Sequence, residues 1–298
     1  MKPDVDADRR EWLKAAMGTA AGASWLGAAG LGTVGLGASG SIAAAGRAPV
    51  DPAKLYHKLH FRTDDGVVFW WLMGPKIGQV GATLTPLFTN CVGTIQRVKH
   101  APDGSFEVTQ LETVLALDLE TGVPLTEWKN PYTGEVLPIR FNVVGPTTVK
   151  YRPDHSRVLP KEIGGTPLES SAVTYPPIIV GDDVFIRDES KARVFSPGRA
   201  TPFEVNDIAL YHGSLANLSN PKVTVGDATV FFAEVTGWQR WMNMGDRPGN
   251  LTSRLGGRKL RRYEDLPEIF RRTLAQRAPE VAADPIAALD KPAAKFDR

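Results

Sequence analysis

The stretch SFEVTQLETVLALDL, residues 105–119, is the clearest sign of the fold in this 298-residue sequence. Apolar side chains recur at every second position over most of it, and polar ones take many of the alternate positions. A period of two is typical of a β-strand with one buried face and one face in water. The predicted buried face carries Leu111, Leu115, Leu117 and Leu119, and the face predicted to be in water carries Gln110, Glu112 and Asp118.

Turn compositions on both sides of this strand predict an antiparallel sheet. The segment APDG, with Asp103-Gly104 at its centre, separates the strand from VGTIQRV (92–98) and is typical of a hairpin. A Gly-Asp pair also interrupts each of two later β-rich runs, IIVGDDVFI (178–186) and VTVGDATVFFAEVTGW (223–238). We therefore expect two more ordinary hairpins there.

Many short strands and few helices predict a mainly β fold, either an antiparallel β-barrel or a barrel-like sandwich with a C-terminal amphipathic helix. The helix is expected in EDLPEIFRRTLAQRAPE (264–280), where apolar residues have helical spacing and Asp265 and Glu268 form a capping box. The segment DPAKLYHKLH (51–60) predicts a second, short helix. We expect a single β-rich domain over 46–278 and a frayed tail over 279–298.

Residues 1–45 have the pattern of an export signal. The pair Arg9-Arg10 precedes a long segment of small and apolar residues, which ends in SIAAAG with small residues before a cut after Ala45. Paired arginines indicate the twin-arginine route, so the twin-arginine translocase is the expected partner during export. We expect a periplasmic or secreted protein, anchored in the membrane only if the signal stays uncleaved.

Composition excludes several classes of function. The net charge is +2, and the one basic stretch, 254–262, reads as a surface turn, so no nucleic-acid binding is expected. Cys91 is the only cysteine, which excludes an internal disulfide, a Cys-based metal site, an iron–sulfur cluster and a c-type haem. No nucleotide-binding motif or serine-hydrolase elbow occurs after residue 45, so no motif indicates a cofactor.

The histidines do not predict a metal site. His57 and His60 have the i, i+3 spacing of a helical zinc or iron pair, but no H-E-x-x-H motif or suitably placed carboxylate accompanies them. His100, His155 and His212 are scattered along the sequence. We therefore interpret His57 and His60 as histidines of the surface or of an N-terminal arm.

The block EVNDIALYHGSL (204–215) supplies the candidate catalytic residues. His212 is the candidate for proton transfer because its charge can change near neutral pH, and Asp207 or Tyr211 could orient or assist it. On a regular strand Asp207 and Tyr211 share one face, and Asn206 and His212 share the other. The three candidate catalytic residues converge only if the strand is bent or bulged.

Aromatic residues predict a pocket beside this block. Trp70 and Trp71 must face opposite sides of one strand, and GWQRWMNMGDRPGNL (237–251), taken as a strand, also separates its two tryptophans. Barrel interiors commonly hold one hydrophobic ligand, although large aromatics can also simply fill them. The candidate substrate-binding residues are Trp70, Trp71, Trp128, Glu135, Asn206, Trp238, Trp241 and Met244.

Four segments resemble one family of bacterial and fungal proteins. They are FWWLMG (69–74), the D-x-E-T-G and W-K-N-P-Y-T-G-E segment (118–135), V-N-D-x-x-x-Y (205–211) and W-Q-R-W-M-N-M-G-D-R-P-G (238–249). Their order is similar to that in the family called domain of unknown function 1838, in which twin-arginine signals also occur. The resemblance implies a shared architecture and assigns no reaction.

Three classes of function remain open. The first is a cofactor-independent lyase, isomerase or hydrolase that acts on a hydrophobic or aromatic small molecule in a barrel pocket. The second is a non-catalytic periplasmic binding protein with the same pocket, and the third is a structural or interaction module of the cell envelope. A buried histidine or carboxylate at the pocket floor would favour catalysis, whereas an apolar floor would favour carriage.

Overall fold

The computed structural model describes residues 51–139, 141–163, 165–196 and 201–292. The predicted signal peptide lies outside these ranges. The helices are α1 Pro52–His60, α2 Leu215–Ser219, α3 Glu268–Arg277 and α4 Pro279–Ala283, and the short 3-10 helices are Arg240–Met242, Tyr263–Asp265 and Ala287–Asp290. The strands are β1 Gly66–Val80, β2 Thr83–His100, β3 Phe106–Leu117, β4 Glu127–Lys129, β5 Val136–Pro138, β6 Asn142–Tyr151, β7 Arg157–Val158, β8 Glu162–Ile163, β9 Thr166–Thr174, β10 Ile178–Val180, β11 Asp183–Val194, β12 Phe203–Ser214, β13 Thr229–Thr236 and β14 Asn250–Leu260.

The fold is mainly β, as predicted, and consists of an antiparallel sheet that curls into a half-barrel. The strand order is β7-β6-β3-β2-β1-β14-β13-β12-β11-β9-β8, with β10 paired to β11. The curl brings distant parts of the sheet together, because Arg157 of β7 forms an ion pair with Asp188 of β11 at 2.8 Å. Both side chains are buried, so the sheet encloses an interior.

Helix α1 fills one part of this interior and confirms the predicted short helix. Asp51 caps it by accepting a hydrogen bond from the backbone nitrogen of Ala53, and Pro52 occupies its first turn. Leu55, Leu59 and Tyr56 of the helix are buried against apolar side chains of the sheet. His57 and His60 are buried too, so the prediction that they lie on the surface or in an arm is wrong.

The C-terminal segment covers the outer face of β1, β2 and β3. Phe270 and Leu274 of α3 pack on Leu111 and Leu115 of β3. Gly93 of β2 leaves the space that this contact needs, since a Cβ atom there would lie 2.3 Å from the Phe270 ring. The predicted C-terminal helix is therefore present, although it begins at Glu268 after Pro267 and has no side-chain cap.

The C-terminal tail is packed as far as Leu289. Val281 of α4, Ala288 and Leu289 are buried in the same cluster as α3. Asp290 pairs with Arg97 of β2 at 2.7 Å. The prediction of a frayed tail therefore does not hold for this part of the chain, because apolar side chains too sparse to indicate a helix still meet the outer face of the sheet.

Two sequence interpretations are corrected by the fold. The hairpin at 178–186 is present as β10 and β11, but β13 begins at Thr229, so the Gly-Asp pair at 226–227 lies in a loop and not in a hairpin. The run 237–251 is not one strand, because Arg240–Met242 is a 3-10 helix and Asn243 has a left-handed φ of 52°. Trp238 and Trp241 consequently pack in one cluster instead of facing opposite ways.

The face of β3 that was predicted to be in water points into the half-barrel. Glu112 is 3% exposed, and Thr94, its partner across the β2–β3 pair, is 1% exposed. Both faces of β3 are therefore covered, one by the C-terminal helices and the other by the opposite wall of the sheet. In β3, the apolar face packs against the C-terminal helices, and the face that carries Glu112 points into the interior.

Candidate functional site

Five polar side chains form a continuous row across the interior of the sheet. They lie directly opposite one another on five consecutive strands, in the order Lys76, Ser253, Glu234, Asp207 and Ser190. All five residues are 5% exposed or less. We call them the polar row.

Hydrogen bonds satisfy one end of the polar row. The Lys76 Nζ atom lies 2.8 Å from Glu234 Oε2 and 2.9 Å from Ser253 Oγ, and Ser253 donates to Glu234 at 2.7 Å. These contacts compensate the burial of an ion pair that would otherwise be costly. This end of the row is a closed group.

The other end of the polar row has unused hydrogen-bonding capacity. Ser190 donates to Asp207 Oδ2 at 3.2 Å, whereas Asp207 Oδ1 has no partner among the described residues. Glu112, on the opposite wall, likewise has an unpartnered Oε2 atom within the described part of the chain. Burial, followed by the charge of Glu234, raises the pKa of both carboxyls well above the usual value. Such groups hold their protons to a higher pH than ordinary carboxyls.

A second polar group lies between helix α1 and β12. His60 has a tyrosine hydroxyl at each ring nitrogen: Tyr56 lies 2.7 Å from Nδ1 and Tyr211 lies 3.1 Å from Nε2. Burial, together with the charges of Arg157 and Lys259, lowers the pKa of His60 well below its usual value. The imidazole is therefore neutral and carries one ring proton. We call Tyr56, His60 and Tyr211 the relay.

A buried ion pair anchors the relay. Arg157 contacts both carboxylate oxygens of Asp188, at 2.9 and 2.8 Å, and also donates to the Tyr56 hydroxyl. Thr174 donates to Asp188 at 2.8 Å. Burial alone would lower the pKa of Arg157, but the neighbouring Asp188 carboxylate raises it above its usual value. Arg157 is thus a fixed positive charge behind the relay.

Two arrangements of protons satisfy the relay. Tyr56 has one hydroxyl proton and two acceptors, His60 Nδ1 at 2.7 Å and Asp188 Oδ2 at 3.2 Å. When it donates to His60, Nε2 carries the ring proton and donates to Tyr211, whose own proton is then available to a group beside it. When Tyr56 donates to Asp188, Nδ1 carries the ring proton and Tyr211 donates to Nε2. Tyr211 can therefore act as a donor or as an acceptor.

An interior cavity lies between the relay and the polar row. Ala209, the small residue between Asp207 and Tyr211 on the inner face of β12, leaves the space open. The free volume is about 30 Å³, which holds one or two water molecules, so a larger ligand requires side chains to move. The cavity is lined by His60, Phe61, Gln96, Val108, Gln110, Val149, Tyr151, Asp188, Ser190, Asp207, Ala209, Tyr211 and Phe232.

The predicted catalytic residues do not all meet at this cavity. Asp207 and Tyr211 line it, as their shared strand face requires. Strand β12 keeps an uninterrupted register with β11, so it is not bulged, and His212 and Asn206 lie on the outer face. The His212 side chain is 39% exposed and its Nε2 atom lies 2.8 Å from Asp183.

The two tryptophans of β1 lie on opposite faces, as predicted. Trp70 is fully buried in the interior, where its indole nitrogen donates to the backbone carbonyl of His60 at 3.2 Å. Trp71 faces the C-terminal helices and donates to Cys91 Sγ at 3.4 Å. Trp70 thus supports the relay helix, whereas Trp71 belongs to the packing layer outside the sheet.

The remaining candidate substrate-binding residues form a separate group. Trp128 packs edge-on against Trp241, with ring centroids 5.6 Å apart, and donates to the Leu87 carbonyl. Trp238 and Met244 belong to the same cluster, and Glu135 accepts a hydrogen bond from Asn243 at 2.6 Å. None of these residues lines the interior cavity.

Several residues of the site were not identified from the sequence. They are Tyr56, His60, Lys76, Glu112, Arg157, Asp188 and Glu234. One signal was available: on the inner face of β13, Glu234 follows Val230 and Phe232 at alternate positions. A lone acidic residue on an otherwise apolar strand face indicates a buried carboxyl. The pairing of strands, which brings these residues together, has no such local signal.

A family model described as "Protein of unknown function (DUF1838)" matches residues 80–295, and the chain belongs to this family. No curated protein matches the chain. In the described part of the chain, no helix has the length and apolar character needed to cross a membrane.

Proposed function

We propose that this DUF1838 protein is an enzyme that moves protons on a small, largely apolar molecule bound in the interior cavity. One observation carries the proposal: Asp207 and the relay residue Tyr211 line the same cavity on either side of Ala209. Burial raises the pKa of Asp207, so this carboxyl holds a proton more strongly than an ordinary carboxyl and is a stronger general base once ionised. The apolar lining residues Phe61, Val108 and Phe232 favour a substrate of the same character.

The two groups have different roles in this proposal. Asp207, as a carboxylate, takes a proton from a carbon next to a carbonyl group, and the C–H electron pair moves onto the carbonyl oxygen. Tyr211 donates a hydrogen bond to that oxygen, and the positive charge of Arg157 supports the donation through Tyr56 and His60. Asp207 then returns the proton to another carbon, so the reaction consumes no proton.

This chemistry fits an isomerase directly. A lyase would use the same first step and then expel a leaving group from the carbon beside the new carbanion. A hydrolase would need a water molecule at the cavity, and the free volume of about 30 Å³ accommodates one. Removal of a proton from carbon is the first chemical step of the isomerase and of the lyase, but not of the hydrolase.

Solvent exchange tests the proposal without knowledge of the natural substrate. Hydrophobic cyclic ketones and lactones are incubated with the protein in D₂O, and deuterium uptake next to the carbonyl group is followed by proton NMR. We expect the full chain to accelerate uptake for at least one compound. Asp207→Asn should lower that rate by about 100-fold or more, since general bases contribute at least this much.

Asp183→Asn is the matched control, because Asp183 is an exposed aspartate whose carboxylate contacts His212. It should leave the exchange rate unchanged. An equal loss in both variants, or exchange that survives Asp207→Asn, would contradict the role of Asp207.

A non-catalytic binding protein remains the second candidate, because the same cavity could retain a ligand without reacting with it. Native mass spectrometry of the protein purified from its own periplasm separates the two functions. A small molecule retained by both the unchanged protein and Asp207→Asn, with no exchange in D₂O, would favour binding alone.

Export by the twin-arginine route is a further part of the proposal. It is supported by Arg9-Arg10 and by the small residues that end at Ala45. Replacement of both arginines by lysine should leave the protein in the cytoplasm. An unchanged periplasmic yield would contradict this route.

A further inference from the structure

Three histidines that are scattered in the sequence lie together in the fold. His57 of α1 and His100 at the end of β2 face each other with 3.4 Å between their Nε2 atoms. The ring of His155 lies edge-on to His57, with centroids 5.2 Å apart. Phe106 stacks on the other side of His57 at 4.2 Å. We call His57, His100 and His155 the histidine cluster.

The hydrogen-bond partners of His100 determine which of its nitrogens carries the proton. Asp65 Oδ1 lies 3.0 Å from His100 Nδ1 and also accepts from the His100 backbone nitrogen at 2.8 Å. As a carboxylate, Asp65 can only accept hydrogen bonds. Nδ1 of His100 is therefore the donor, and its Nε2 atom carries a lone pair.

His57 presents a second lone pair to the first. The backbone of Arg62 hydrogen-bonds to the His57 ring, and we assign this bond to Nδ1 because Nε2 is the atom that faces His100. With that ring proton on Nδ1, Nε2 of His57 carries a lone pair that faces the lone pair of His100 across 3.4 Å.

We propose that the histidine cluster binds a divalent transition-metal ion, such as Zn²⁺, between His57 Nε2 and His100 Nε2. Zinc–imidazole bonds are about 2.0–2.1 Å long, which places two nitrogens of a tetrahedral ion about 3.3–3.4 Å apart. The observed separation is 3.4 Å. Asp65 has the position of the carboxylate that orients a metal-binding histidine from behind.

His155 is the third ligand in this proposal. Its Nδ1 atom is buried without a partner among the described residues, and its backbone has an unusual left-handed φ of 63°. Across the described residues, no group of three or more His, Cys, Asp or Glu side chains is placed to hold a metal ion. The proposed site therefore requires the His155 side chain to rotate towards the ion.

The fourth position opens towards solvent. His100 and Phe106 also line a surface groove of about 490 Å³, whose other walls include Lys150 and Arg152. Three protein ligands and one open position are the arrangement of zinc sites that bind an exchangeable molecule. The proposal does not depend on the proton-transfer function, because it involves none of the residues that act on the interior cavity.

Metal titration of the full chain tests the proposal. After treatment with EDTA and dialysis, Co²⁺ is added and its visible absorption is recorded, and Zn²⁺ is then used to displace it. We expect one ion per chain and the intense absorption of tetrahedral Co²⁺. His100→Gln and His155→Gln should each weaken binding by more than about tenfold, and Asp65→Asn by about 10–100-fold.

His212→Gln is the control, because His212 is also a histidine paired with an aspartate but lies on the outer face of β12. Equal binding by His100→Gln and the unchanged chain, or an equal loss in His212→Gln, would overturn the proposal. Since His57 is buried and its variants could fail to fold, it is tested by ¹⁵N NMR of the unchanged chain. Zn²⁺ should shift Nε2 of His57 and His100, and no shift at either atom would also overturn the proposal.

Discussion

The interior cavity and the histidine cluster share helix α1 but provide opposite environments for a histidine. His60 and His57 lie one turn apart, and burial lowers the pKa of both. Each ring nitrogen of His60 meets a tyrosine hydroxyl, which can donate or accept a proton. In contrast, Nε2 of His57 meets another imidazole nitrogen.

This difference indicates how partners determine what a buried histidine can do. Hydroxyl partners let the proton of His60 move from one nitrogen to the other with no change in charge. Two nitrogens with fixed lone pairs cannot exchange a proton in this way, and a cation can satisfy both at once. Burial is common to the two sites, so the type of neighbouring atom, rather than burial, separates a proton relay from a metal-binding pair.

The largest effect is expected from Tyr211→Phe, which should impair the interior cavity and leave the histidine cluster unaffected. The change removes the hydroxyl that faces the interior cavity and should lower deuterium exchange by about 100–1000-fold, as loss of one oxyanion donor does. Binding of Zn²⁺ should be unchanged, since Tyr211 does not contact the histidine cluster. Tyr175→Phe, which removes the hydroxyl that donates to Glu189, is the control. Simultaneous loss of exchange and metal binding would show that the two sites are not independent.

A smaller effect is expected from filling the interior cavity. Ala209→Leu adds three carbon atoms to a free space of about 30 Å³ and should lower the free energy of unfolding by about 1–3 kcal/mol. The rate of deuterium exchange should fall, while the folded protein still binds Zn²⁺. Ala233→Leu places the same side chain on the outer face of β13 and should change the stability much less. Urea unfolding measures both variants, and equal destabilisation would contradict the position of the cavity.

The smallest effect concerns the pH dependence of stability. Glu112 and Asp207 have raised pKa values in the folded protein, so above about pH 4 the folded state binds more protons than the unfolded chain. The free energy of unfolding should therefore fall as the pH rises, until the pH passes the folded pKa. Glu112→Gln should reduce this fall by up to about 1.4 kcal/mol per pH unit.

Urea unfolding from about pH 5 to about pH 8 measures this slope. Glu107→Gln, on the opposite face of the same strand, is the matched control and should leave the slope unchanged. Because the histidine cluster contains no carboxyl with a raised pKa, EDTA should not alter the difference between the variants. An identical slope in Glu112→Gln and the unchanged chain would contradict a protonated, buried Glu112.

The sequence indicated the fold class because strand periodicity and turn composition are local properties. The alternation in 105–119, the hairpin turn at 101–104 and the helical spacing in 264–280 all have counterparts in the structure. Local patterns were also sufficient to place Asp207 and Tyr211 on one face and His212 on the other. The pattern in 237–251 misled because a 3-10 turn can alternate aromatic and polar residues as a strand does.

By itself, the sequence determined a mainly β protein and the pairing of residues on strand faces, since the direction of a side chain depends only on its neighbours along the chain. Only the tertiary structure decided that the polar face of β3 is buried, because the curl of the sheet, set by contacts such as Arg157–Asp188, determines which face is interior. The same holds for the histidine cluster. His57, His100 and His155 come from a helix, a strand end and a loop, and no local pattern fixes the distance between segments that meet only when the chain folds.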